Sequence, residues 1–182
     1  MMNMKAQFWS FDVIFAIVIF SVALTLLTYT WYDVNSQLSL SYGNGATIMQ
    51  IEQQSLASTL LTPGSPSYWN SEINTSNEST WQGIGVGLAN SSGSTVLSPA
   101  KVYALAAMAS TPAGYQQSKQ VLGVGYEYFI TIRGGSLNIT IGENPETNGA
   151  LTTYTSTGHA FLGGVPVAVQ VDIWTSQPFG VG

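Results

Sequence analysis

The stretch KAQFWSFDVIFAIVIFSVALTLL, residues 5–27, sets one cation and one acid beside a long apolar run. Between Asp12 and Asp33 lie 20 uncharged residues. At about 1.5 Å per residue they make about 30 Å of helix, the hydrocarbon thickness of a bilayer. Lys5 is the only cation ahead of the run, so the short N-terminus is expected inside and everything after Tyr32 outside. A secretory signal peptide has a shorter apolar region, a basic front and a small-residue cleavage site. Here the front is weak, and Tyr29, Trp31 and Tyr32 follow the run in the manner of an interfacial belt. The segment therefore reads as an anchor that is kept.

Apolar residues continue past the bilayer length. Trp31, Val34, Leu38, Tyr42, Met49, Leu56 and Leu60 fall at helical spacings and form a stripe expected to make contacts between copies. Gly43-Asn44-Gly45 interrupts the stripe with poor helix formers and predicts a kink or loosened turn inside one helix. Thr62-Pro63-Gly64 predicts the stop. Helix over 8–62 is thus expected, with residues 63–182 as a separate head. A fully helical Phe8–Leu61 would be about 81 Å long, far beyond a compact core of that size. Most of it needs partners elsewhere, first lipid and then copies of itself.

Composition narrows the classes. Charged residues are 7% of the 182, against about 25% in average soluble proteins, so the surface must be polar but uncharged. Such a surface suits an acidic exterior, where few carboxylates remain to protonate, or equally one covered by glycans or neighbours. Four basic residues against nine acidic ones cannot follow a phosphate backbone, which excludes nucleic acid as a partner. With no cysteine there is no disulfide framework and no thiolate chemistry.

Lys5-Ala6-Gln7 ahead of an apolar helix resembles the leader junction of archaeal type IV pilin-like proteins, the superfamily of adhesion pilins and archaellins. In the head, SPSYWN, IGVGLA, VLSPAKVYAL and YEYFITI resemble a recurrent group of such heads more loosely. The resemblance implies a leader over 1–7, a membrane prepilin peptidase cutting Gln7-Phe8, and assembly machinery that builds a homopolymeric filament. It also implies that Asp12, fifth after the cut, pairs with the new amino group of a neighbouring copy. If the leader stays, Lys5 is the nearby cation instead. An unpaired carboxylate at membrane depth costs about 2.5 to 3.5 kcal/mol, and the alternative place for Asp12 is the headgroup level.

In the head, alternation predicts a strand over Trp81–Leu88, a hairpin of 124–133 with 136–141 about Gly134-Gly135, and further strands over 151–155 and 165–174. Ser98-Pro99 and Thr111-Pro112 open two short helices, ending at Ala109 and Leu122. The expected fold class is α+β: a long apolar helix, then a mostly antiparallel sheet with one or two short helices. Acceptor sequons begin at Asn74, Asn77, Asn90 and Asn138, of which the loop pair Asn74 and Asn77 is preferred for glycosylation.

Chemistry is sparse. Ser98-Pro99-Ala100-Lys101 has the Ser-x-x-Lys spacing without its partner motifs, and helix capping accounts for Ser98 and Pro99. Gly83-x-Gly85-x-Gly87 lacks the third glycine of a dinucleotide loop and suits a strand close to another backbone. His159, the one histidine, is expected in a Gly-rich turn. Glu143 and Glu146 fall short of a calcium ligand set. No acid, base and nucleophile converge, so neither catalysis nor a metal or cofactor is expected. A filament subunit is the preferred reading, with a single-pass anchored binding module as its rival.

Overall fold

The computed structural model describes the backbone of residues 5–178, with side chains except those of 5–11 and 35–44. By internal contacts the chain divides into two units, Met1–Asn44 and Gly45–Gly182. Helix α1 (Lys5–Leu60) accounts for the described part of the first. The backbone is helical through Gly43-Asn44-Gly45, and the division between units falls inside that tripeptide, where helix propensity is lowest.

The second unit begins at Gly45, which corrects the boundary expected at residue 63. Met49, Leu56 and Leu60 are 0%, 1% and 0% exposed and belong to the head's own core, together with Val171, Ile130 and Leu105. Their spacing, completed by buried Gln53, puts them on one face of the helix. Glu52 fastens the same stretch: its Oε2 accepts hydrogen bonds from Gly125 N at 3.0 Å and Tyr126 N at 3.4 Å.

The helix stops where Thr62-Pro63-Gly64 predicts, because its last carbonyls are met by another segment. Leu88 N donates to Leu60 O at 2.8 Å and Ala89 N to Thr62 O at 2.9 Å. This close approach explains the glycine run. A Cβ on Gly87 would lie 2.3 Å from Thr62 O, and Gly85 exchanges two backbone bonds with Ser65. The alternation over Trp81–Leu88 is therefore not a strand. It is a loop after a 3₁₀ turn (Glu78–Trp81), held against the helix end by one isolated bridge.

Short helix α2 (Trp69–Glu72), unforeseen in the sequence, carries the buried Trp69, whose Nε1 donates to Gly87 O. Strand β1 (Val96–Leu97) leads into α3 (Pro99–Met108) and α4 (Pro112–Leu122). Both start on proline as expected, but only Thr111 caps with its side chain, accepting from Gly114 N; Ser98 makes no such bond.

Four longer strands follow: β2 (Glu127–Gly134), β3 (Leu137–Gly142), β4 (Thr152–Leu162) and β5 (Val165–Thr175). The order is β1-β4-β5-β2-β3, antiparallel except for the β1–β4 pair, so the fold is α+β with a mixed, mostly antiparallel sheet. The β2–β3 hairpin forms as expected, but its turn lies at Gly135-Ser136, one residue later than Gly134-Gly135, because Gly134 still pairs with Leu137; Gly135 takes φ 57°. Tyr128, Ile130, Ile132, Val167, Val169, Val171 and Ile173 line the buried face. The opposite face carries Thr, Gln and Asp172, the last accepting from Thr155 Oγ1 at 2.6 Å and from Gln170 Nε2. β4 runs seven residues beyond the expected 155. His159 consequently lies on a strand, exposed, and the glycine turn is Gly163-Gly164.

Candidate membrane and assembly helix

Asp12–Val34 is 23 residues of helix with mean hydropathy 2.4, and none of its strongest window is buried. Val13, Ile14, Phe15, Ile17, Val18, Ile19 and Phe20 are each more than half exposed, and consecutive positions step about 100° around a helix. The apolar surface therefore covers the whole circumference rather than one face. Thr25, Thr28 and Thr30 turn their hydroxyls onto the carbonyls of Ser21, Leu24 and Leu26, which satisfies them without water. The segment is long and apolar enough to cross a membrane, and so compatible with membrane anchoring or secretion.

The residues expected to join copies now separate. Trp31 and Val34 are exposed, at 74% and 49%. Lys5, Gln7, Phe8, Leu38 and Tyr42 lie outside the described side chains, so the junction and the Lys5–Asp12 pairing are not placed; Asp12 itself is exposed. Met49, Leu56 and Leu60 are corrected: a side chain sealed in its own chain's core cannot meet a second copy. The exposed apolar residues of that stretch are Ile48 (49%) and Ile51 (59%) instead. They lie three apart on the opposite face, where a stripe counted through Met49 passes over them.

All four sequon asparagines are exposed. Asn74 and Asn77 sit in turns, Oδ1 accepting from Ser76 N and Ser79 N respectively. Asn138 lies on β3, its Oδ1 accepting from Arg133 Nε at 3.2 Å.

The remaining candidates resolve into structural roles. Lys101 is buried, and its Nζ donates to Pro63 O at 2.7 Å and Ala89 O at 2.8 Å, bridging α3 to the end of α1. Burial pulls its ammonium below the ordinary lysine value. A second cluster, missed in the sequence, joins α4 to β2. Lys119 Nζ pairs with Glu127 Oε1 at 2.8 Å, and Tyr115 OH donates to Glu127 Oε2 at 2.7 Å while accepting from Tyr128 N. Ser118 Oγ and Tyr128 OH share a 2.6 Å bond. Its signal was the α4 spacing of Tyr115, Ser118 and Lys119, one helix face, but the strand partners cannot be read from that spacing. Burial pushes the Tyr128 hydroxyl up to about 12, and Tyr115 higher still, chiefly by burial with Glu127 adding to it. Among the described residues no three His, Cys, Asp or Glu side chains come together as a metal site.

Comparison with protein-family models, with curated proteins and with solved structures finds no match.

Proposed function

We propose that this chain is a non-catalytic structural subunit of an extracellular archaeal type IV pilus-like filament, an adhesion pilus or archaellum. The helix waits in the membrane as a precursor and, after extraction, packs with its copies into the filament core. Polar heads, glycosylated at Asn74 and Asn77, form the sheath. The observation that carries this reading is the bare apolar circumference of Asp12–Val34, together with exposed apolar Ile48 and Ile51 beyond the span. A simple tether needs no exposed apolar residues outside the bilayer. Burying about 1,000 Å² of apolar helix per subunit at about 25 cal/mol per Å² gives about 25 kcal/mol before ordering costs, enough for permanent assembly.

The test must touch assembly alone. Ile51→Glu changes an exposed residue outside the span, so the head should fold and the helix insert while filaments disappear from electron micrographs. Normal filaments from Ile51→Glu would reject the proposed contact. A chain that stays singly dispersed in the membrane without the substitution would favour the anchored binding module.

A further inference from the structure

The sheet has one long open edge. β4 pairs with β5 in eleven consecutive residue pairs without a bulge, from Thr152↔Thr175 to Leu162↔Val165. On its other side β1 covers only Phe161 and Leu162. Among the described residues, Thr152–Ala160, sequence TTYTSTGHA, therefore presents a free backbone edge nine residues long. It contains no Lys, Arg, Asp, Glu or Pro, and so has neither the charges nor the proline that keep edges from pairing.

Beside this edge the buried face is incompletely covered. A groove of about 320 Å³ opens between α1 and the sheet, lined by Ala57, Leu61, Ser156, Gly158, Val169 and Val171 among others. Gly158 leaves a side chain's worth of room there: a Cβ on it would meet only Leu61 Cδ1 at 3.4 Å and Val169 O at 4.0 Å.

We infer that β4 docks the β4 of a second copy in antiparallel register about Ser156, joining two heads through a two-fold axis. Three observations select this occupant. A strand set antiparallel to its own copy brings like residues close together, and this one has no charge to repel. Thr and Tyr favour strand pairing, so the edge is its own suitable partner. Centred on Ser156, the register puts the partner's Tyr154 opposite Gly158, where an aromatic ring fills the groove the glycine leaves. The two-fold relates heads on different filaments, or heads tethered singly, and so does not depend on the filament reading.

The chain has no cysteine, so single cysteines report the contact cleanly. Full-length Ser156→Cys, mildly oxidised in detergent micelles, should give a disulfide dimer, because Cα atoms opposed across an antiparallel pair lie about 4.5–5.5 Å apart, within disulfide range. Thr153→Cys controls for association through the apolar helix: its copy lies six residues away along the strands, about 20 Å. Adding Thr157→Lys to Ser156→Cys should cut the dimer by about fivefold through a charged edge. Unmodified chain should show amide exchange over 153–159 that slows with concentration. Equal cross-linking at 153 and 156, no dimer at 156, or concentration-independent exchange would each overturn the inference, including the case in which the edge serves a strand of a different protein.

Discussion

Residues 12–34 and 49–60 share one helix and both are rich in apolar side chains, yet they meet opposite fates. None of the first stretch's apolar window is buried, whereas Met49, Leu56 and Leu60 are sealed at 1% exposure or less. The difference lies in pattern. Asp12–Val34 is apolar on every side and needs lipid or other helices all round. Met49–Leu60 is apolar mainly on one face, with Gln50, Glu52, Gln54, Ser55 and Ser58 elsewhere and Ile51 the one large apolar exception, and the head's own core covers that face. Periodicity marks a buried face but not whether the cover comes from the same chain or another.

The sharpest break in the comparison is a charge in the sealed face. Leu56→Glu should abolish cooperative unfolding of the head, and Leu56→Ala should cost about 2–5 kcal/mol in urea titrations of the full chain in detergent. The same changes at Leu26 should leave the head's urea midpoint where it was. An unaltered midpoint for Leu56→Ala would mean that the helix end is not part of the core.

Next in size is the contact that ends the helix. Gly87→Ala drives a methyl to within 2.3 Å of the Thr62 carbonyl and should cost about 3 kcal/mol, near the top of the overpacking range. Gly83→Ala, in open space but at φ 78°, should cost only about 1 kcal/mol, the strain of a left-handed residue. Equal losses at the two sites would contradict the close approach.

Alkaline titration gives a smaller, graded effect confined to the head. Tyr128 is raised from 10.0 to about 12 and Tyr115 further. The folded state therefore keeps protons that the unfolded chain releases above pH 10, and stability falls as pH rises through that window. The slope is up to about 1.4 kcal/mol per pH unit for each group. Urea midpoints at pH 9 and 11.5 measure it, and Tyr128→Phe should flatten the decline. Smallest of all, Ile51→Ala should move head stability by about 0.5 kcal/mol or less, since the residue faces out.

Much of this was legible in the sequence for a local reason. The span, the stop at Thr62-Pro63-Gly64, the two prolines opening α3 and α4, and the β2–β3 hairpin are each decided within a few residues. The illegible parts depended on distant neighbours. Trp81–Leu88 alternates like a strand, but its glycines serve the approach of Leu60–Ser65, some 20 residues earlier. Gly158-His159 resembles a turn, but eleven pairs with β5 carry the strand through it. Met49 and Ile48 are adjacent in sequence, and only the packing of the head's core decides which of the two is covered.

The most direct test of the filament reading is to shear appendages from the source cells and record this chain's intact mass and N-terminal peptide. The proposal predicts its presence in the sheared fraction, beginning at Phe8 if the leader is removed or at Met1 if it is kept. Recovery from the membrane fraction alone would contradict the account.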